Sequence, residues 1–248
     1  MSFRTLGEGE KSRFPEISPR HRKMARRNDK LLNILITAGP TREMLDPVRF
    51  LSNISTGHMG YAIARAAKSR KHQVTLISGP TALKPPAGVR FIPVLSARDM
   101  QKACTRMFPK QDVLVMTAAV CDFTASSTSV RKIRRSRTKK FILRQTPDIV
   151  AGLARNKENR RVIGFCLETE NWLSNAKGKI RKKNLDGIVA NYYTKTHVPF
   201  GDRKITTAFV DKRGIRVLLR NQSKPVIARK LLAWVEKMIK KNDEKRPK

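Results

Sequence analysis

The chain has 248 residues, 40% of them hydrophobic, and carries 54 Lys and Arg against 19 Asp and Glu, a formal net charge of +35. That apolar share supports a folded core and excludes wholesale disorder, and the longest apolar runs are strand-length, too short to span a membrane. Three scattered cysteines, Cys104, Cys121 and Cys166, have neither disulfide-framework nor metal-ligand spacing and read as reduced thiols of a cytoplasmic protein.

Residues 1–30 mix Pro, Gly, Ser and charge without periodicity and read as a flexible basic arm. The run LNILITAG (32–39) predicts the first strand, and GYAIARAAKSRKH (60–72) a helix with Ile63, Ala66 and Ala67 on one face. QVTLISGP (73–80) and VRFIPV (89–94) predict strands, ARDMQKACTRMF (97–108) a helix, and DVLVMTAAV (112–120) a buried strand. A basic loop is expected over 124–140, then a helix over 147–156 with Pro147 in its first turn. RRVIGFCLE (160–168), 171–183 and LDGIVAN (185–191) read as strand, helix and strand. A hairpin is expected at 204–219 around Lys212-Arg213-Gly214, closed by an amphipathic helix from Lys224. Strands alternating with helices imply an α/β fold: three layers, a mostly parallel sheet covered on both faces, with a small hairpin or flap. The expected organisation is the arm, one domain over 31–241, and a basic tail at 242–248.

Loops are expected at 40–57, 124–140 and 192–203, and loops of that length in a compact domain are usually functional. In an open parallel sheet, ligands sit beyond the carboxyl ends of the strands. The first loop ends in SNISTGHMG, where Ser52, Asn53, Ser55 and Thr56 offer polar groups and Gly57 and Gly60 allow close backbone approach. A helix N-terminus follows, so the segment reads as a phosphate cradle; the alternative is a plain Ser/Thr helix cap. His58 reads as a surface residue at the helix start. In TAAVCDF (117–123), small residues precede Asp122, which reads either as an acceptor for hydroxyls or Mg²⁺ or as a turn aspartate. In RKIRRSRTKK (131–140) seven of ten residues are basic, which suits a cover over a triphosphate or a solvated loop. Five basic residues also crowd KGKIRKKNLDGIVAN (177–191), where part of the charge complements a helix C-terminus.

In this order ITAGPTREMLDPVRFLSNISTGHMG, AAVCDF, KIRR, TPDIVAGLA, GFCLET and KIRKKNLDGIVAN closely resemble the phosphopantothenoylcysteine synthetase family, over about residues 32 to 240. This is the phosphopantothenate–cysteine ligase family, also described as the DNA/pantothenate metabolism flavoprotein C-terminal domain. The resemblance implies a Rossmann-like subunit that dimerises and a ligase of coenzyme A biosynthesis. Phosphopantothenate is activated by a nucleoside triphosphate as an acyl-nucleotidyl anhydride, with loss of pyrophosphate. The amine of L-cysteine then displaces the nucleoside monophosphate. The KIRR block is similar to the lysine loop of the CTP-using branch, which implies CTP with Mg²⁺ held mainly by the phosphates; an ATP-using member, or one using another amine, remains the alternative.

Carried over by position, Asn53 matches the essential asparagine that handles the acyl-nucleotide, and Arg49 its companion arginine. Lys132 matches the loop lysine tied to site closure and amide formation. Ser55 and Gly57 of the phosphate cradle read from the residues above are expected nucleotide contacts as well. Met116, Thr117, Ala118, Asp122, Phe165, Lys179 and Lys183 match nucleotide contacts, as does the stretch Thr146, Pro147, Asp148 and Ile149. Thr146 stands where the family often has Asn, and Arg134 and Arg135 replace lysines, which keeps charge but alters hydrogen-bond geometry. About 30 residues precede the matching region, fewer than the family's flavin-dependent decarboxylase half requires, so a stand-alone ligase without flavin is expected, with a decarboxylase as a separate partner. A basic Rossmann-like nucleic-acid binder is the competing reading; sparse aromatics and the lack of a nucleic-acid motif count against it.

Overall fold

The computed structural model describes residues 30–135 and 140–243. The expected basic arm and most of the expected tail therefore lie outside the described residues. Leu31 onward forms one compact unit. Strand β1 (Asn33–Ala38) leads into a hairpin of β2 (Arg42–Asp46) and β3 (Arg49–Ser52), then α1 (His58–Ser69), β4 (Gln73–Ser78), β5 (Arg90–Pro93), α2 (Ala97–Met107) and β6 (Val113–Met116). A second hairpin, β7 (Phe123–Ala125) with β8 (Leu143–Gln145), precedes α3 (Ile149–Arg155), β9 (Arg161–Glu168), α4 (Trp172–Lys182), β10 (Gly187–Tyr192), β11 (Ile205–Asp211), β12 (Gly214–Gln222) and α5 (Lys224–Asp243).

The main sheet has eight strands in the order β12-β11-β10-β9-β6-β1-β4-β5. From β10 to β5 every pair is parallel, and β11 and β12 join antiparallel. The expected hairpin at 204–219 is thus present, but as the border of the main sheet rather than a detached flap. ITTAFV lies in β11, buried between two neighbours, because its inward residues Ala208, Phe209 and Val210 have no exposed surface. Phe209 stacks on Trp234 of α5 at 5.4 Å between ring centroids.

Strand parity divides the core. Ile34, Ile36, Val113, Ile163 and Val189 pack with α1 and α5 on one face. Leu35, Leu114, Val162, Ile188 and Ala190 pack with α2, α3 and α4 on the other. This is the three-layer arrangement that the alternating elements imply. The chain leaves β1 for β4 and β5 on one side, then crosses to β6 on the other side of β1, so the strand order reverses between β1 and β6. Loops leaving the carboxyl ends of those two strands diverge and open a crevice there.

Two local expectations change. Residues 40–57 are largely a hairpin, not an irregular loop, and β7 and β8 flank the basic loop, of which residues 136–139 lie outside the described set. Pro147 does not open α3. Asp148 is the N-cap, its carboxylate accepting from the Ala151 backbone N–H at 3.1 Å, so the proline sits one residue before the cap.

Candidate active site

The crevice between β1 and β6 is laced by threonines and backbone. Thr37 Oγ1 accepts from Ala118 N at 3.1 Å, while Thr117 Oγ1 donates to Thr37 O. Beyond the strands, Ala119 N donates to Gly39 O at 3.0 Å, Thr41 N to Ala119 O at 3.2 Å, and Cys121 N to Thr41 Oγ1 at 2.9 Å. The apolar run of β6 therefore ends at Met116, and Thr117, Ala118 and Ala119 form a rigid ledge.

Asn53 is fixed on that ledge. Its side-chain amide donates to Ala119 O at 3.0 Å and to Val120 O at 3.1 Å. Both donors of the amide are thereby used. The opposite rotamer would set the amide oxygen against two carbonyl oxygens, so the network itself assigns the orientation. The oxygen faces outward as an acceptor, on an exposed residue. An outward carbonyl accepts from an N–H or O–H.

Helix α1 follows at once. Its N-cap is Gly57 at φ 79°, and no side chain caps it. The plain Ser/Thr cap is thus not what this sequence builds: Ser55 Oγ accepts only from Gly57 N, at 3.4 Å. The first-turn N–H groups stay open, with the positive end of the helix dipole behind them. Gly60 sets how close the helix sits. A Cβ there would lie 2.5 Å from Ala38 Cβ and 2.6 Å from Thr117 Oγ1. Thr56 Oγ1 contacts His58 Nδ1 at 2.9 Å and accepts from Gly201 N at 3.1 Å, which joins the segment after β10 to the same corner. Buried Lys224 holds that segment by donating to Gly201 O and, at 3.2 Å, to Arg203 O, and burial lowers the ammonium pKa.

Arg49 is held elsewhere. Its guanidinium donates to Asp46 through Nε at 2.8 Å and through Nη2, and Nη2 also reaches Ile133 O at 2.6 Å. Arg49 and Asn53 lie four positions apart along extended chain, roughly 13 Å, and anchor to different loops: the basic segment and the β6 ledge. Lys132 lies next to Ile133 in that basic segment, beside Arg134 and Arg135.

The remaining expected contacts divide between the two faces. Met116, Ile149 and the buried side of α4 belong to the α2–α4 face. Lys179 of α4 and Lys183, its C-cap one turn on, pair with Glu168 at the end of β9 and with Asp148 Oδ2 at 2.9 Å. Burial opposes ionisation of Asp148, yet the bonds from Lys183 and Ala151 N hold its carboxyl below the ordinary value. Phe165 packs instead against the α1–α5 face. Thr146 is committed to structure, its hydroxyl donating to Cys121 O at 2.5 Å and its N–H to Asp122 O at 2.9 Å. Asp122 and Pro147 are exposed at the same rim.

The three cysteines are free and buried. Burial pushes the Cys104 thiol up to about 12 and the Cys166 thiol to about 11, and raises that of Cys121, so none is poised as a thiolate nucleophile. Among the described residues no group of three or more His, Cys, Asp or Glu side chains could hold a metal ion, and no helix is long and apolar enough to cross a membrane. One residue absent from the sequence reading is Asp46, a carboxylate with no exposed surface that binds Arg49 and the basic segment. The Asp46-Pro47 dipeptide, a turn-forming pattern, with Arg49 two residues beyond the proline, was its signal.

Residues 30–239 match the family model described as DNA/pantothenate metabolism flavoprotein C-terminal domain. The chain belongs to this family. A protein of Bacillus subtilis (strain 168) named "Coenzyme A biosynthesis bifunctional protein CoaBC" is 39% identical over 216 residues, 86% of this chain and 53% of that protein. A "Cysteine/Cysteine sulfinic acid decarboxylase" of an unknown prokaryotic organism is 42% identical over 182 residues, 72% of this chain and 51% of that one. The chain spans about half the length of these curated relatives. The crystal structure of the C-terminal domain of a CoaBC protein superposes with a TM-score of 0.72 at 39% identity, covering 84% of this chain and 96% of that one. The homology therefore falls on the synthetase part of the bifunctional proteins, and the sheet is the Rossmann-like one of that family.

Proposed function

We propose that this chain is a phosphopantothenate–cysteine ligase using CTP. The phosphopantothenate carboxylate attacks the α-phosphorus, pyrophosphate leaves, and the acyl-cytidylate is opened by the amine of L-cysteine, giving the amide and CMP. The observation that carries this reading is the conjunction at one crevice of an uncapped α1 N-terminus with an asparagine whose oxygen is held outward by two hydrogen bonds.

The residues divide the work. Open N–H groups of α1, with Ser55 and Gly57 shaping the approach, receive anionic phosphate oxygens. The end of β6 at Met116 and the start of the ledge, Thr117 and Ala118, with Asp122 and the Thr146–Ile149 stretch at its rim, receive the nucleoside, and Lys179 and Lys183 supply positive charge beside it; Phe165 closes the opposite side of β9. Asn53 Oδ1 accepts an N–H of the incoming amine and orients its lone pair toward the acyl carbon. Arg49, Lys132 and their basic neighbours stabilise charge on carboxylate and leaving phosphate. The phosphates themselves suit Mg²⁺ better than the protein donors do, since the described carboxylates are scattered; the ion, when bound, neutralises the leaving pyrophosphate. Ligation needs no flavin. A homodimer is part of the same proposal, on family likeness.

CTP over ATP rests on the likeness of KIRR to the CTP-using branch. Amide formation from phosphopantothenate, cysteine and Mg²⁺ should depend on CTP, with ATP at least tenfold poorer in kcat/KM, about 1.4 kcal/mol in the transition state. Equal turnover with ATP would remove the nucleotide assignment, and no amide with either nucleotide would remove the ligase.

A further inference from the structure

Asp46 is the one acidic side chain of the β2–β3 hairpin aimed at the segment that carries Lys132. It has no exposed surface and accepts five hydrogen bonds: from Val48 N and Arg49 N at 2.9 Å, from Arg49 Nε and Nη2, and from Ile133 N at 3.1 Å. The first two shape the turn at Pro47, as an aspartate before proline is suited to do. The others reach two different pieces of chain. Arg49 Nη2 closes the triangle by donating to Ile133 O at 2.6 Å, so the backbone of residue 133 is gripped at both its N–H and its carbonyl. Two more bonds lay the preceding chain along the same strand: Thr128 Oγ1 donates to Met44 O at 3.2 Å and Ser129 N to Leu45 O at 3.0 Å. Arg49 holds the carboxyl of Asp46 well below the usual carboxylate range against the opposing effect of burial, and Val48 N, Ile133 N and Arg49 N add to it. The latch therefore stays ionised throughout the neutral range.

A buried carboxylate satisfied by five donors is costly to leave partly unpaired. A plain hairpin needs only the two turn bonds. The two bonds to Arg49 and the one to Ile133 are spent on fixing a cation and a neighbouring basic segment relative to each other. We propose that Asp46 is a positioning residue that places Lys132 and its neighbours against Arg49, so that both cations meet the reacting phosphates together. What those cations act upon rests on the ligase reading above; the latch itself does not.

Two full-length variants test it. Asp46→Asn keeps the shape but turns an acceptor into a donor facing Arg49 and Ile133 N. Ile133→Pro removes the loop's N–H donor to Asp46 and restricts the backbone at 132–133, while leaving the side chains of Asp46 and Arg49 unchanged, and it serves alone if the first variant fails to fold. One readout is the initial rate of native-state tryptic cleavage after Arg131 and Arg134, two bonds that both variants keep cleavable, located by mass spectrometry; loss of a charge-assisted bond should raise it about tenfold or more. The other is amide formed per pyrophosphate released with CTP, phosphopantothenate and cysteine. Read early in a single turnover, that ratio should fall clearly below the wild-type value, because a displaced Lys132 slows the second half-reaction and leaves acyl-cytidylate that has released pyrophosphate but not yet formed amide. A merely structural role would lower both products in step with the folded fraction and leave the ratio unchanged. Wild-type cleavage rates in the folded variants, or an unchanged ratio, would overturn the proposal. If the wild type releases no pyrophosphate, the ligase reading fails and the cleavage rates alone decide on the latch.

Discussion

Asn53→Ala is expected to slow amide formation about a hundred- to a thousandfold, the usual loss when one preorganised polar partner is removed from a reacting centre. The side chain sits on the surface of the ledge and spends its two donors on Ala119 O and Val120 O. Those carbonyls lie beside solvent, so truncation costs little stability, and the apparent KM for CTP should stay within about threefold because the phosphates bind elsewhere. Asn53→Asp should not rescue. It keeps an outward oxygen but places its other oxygen against the two carbonyls, so the side chain must turn away. Rapid-quench measurement of amide formation, with circular dichroism as the folding control, distinguishes this from a binding defect. A rise in KM for CTP with kcat unchanged would show that Asn53 holds nucleotide and not the amine.

Gly60→Val should damage fold and site together. A Cβ at Gly60 falls within 2.6 Å of both Ala38 Cβ and Thr117 Oγ1, and 3.0 Å from Thr37 O. Each belongs to the strand ends that frame the crevice, so nothing flexible can yield. Relief requires α1 to move away, which withdraws its open N–H groups from the phosphates. Overpacking of this kind costs about 3 kcal/mol, or roughly 6–12 °C in Tm for a domain of this size. Gly178 is the contrasting control: no heavy atom lies within 4 Å of a Cβ there. Gly178→Ala, inside α4, should leave stability unchanged or raise it by up to about 1 kcal/mol. Differential scanning fluorimetry with and without CTP reads both effects. Equal Tm values for the two variants would contradict the close approach of α1 to β1.

The sequence reveals some levels of this structure better than others. Strand β1 and helix α5 are plain in one-letter code, the first as an unbroken apolar run and the second by helical periodicity, because both bury their side chains against many partners. The hairpin β2–β3 is not. Four of its nine residues are charged, β3 is mostly exposed, and its cohesion comes from Asp46, Arg49 and a segment more than 80 residues away in sequence. Hydrophobic patterning carries no trace of a hairpin held by a buried carboxylate and a half-exposed arginine. Strand β6 shows the opposite error: the apolar run reads on to Val120, but the continuous ladder stops at Met116, where the threonine lacing to Thr37 and a single bridge from Ala119 to Pro40 take over.

For the site, residue types proved easier to read than their orientations. Asn53, Gly57 and Gly60 are singled out by spacing before a helix, yet only the structure shows that the helix lacks a side-chain cap and that the asparagine presents oxygen, not nitrogen. Lys179 and Lys183 share a helix face by their spacing, whereas their partners Glu168 and Asp148 come from other elements. Thr146 looks like a weakened nucleotide contact in sequence; in the fold its hydroxyl ties the β8–α3 connection to Cys121 O.

The central claim is that the carboxylate is activated on the nucleotide before the amine takes part. A single-turnover experiment with enzyme in excess over CTP, in the presence of Mg²⁺ and phosphopantothenate but no cysteine, addresses it directly. Stoichiometric pyrophosphate, with an acyl-cytidylate that converts to amide when cysteine is added, is the predicted result. Release of orthophosphate and CDP, or no release of any phosphate until cysteine arrives, would contradict it.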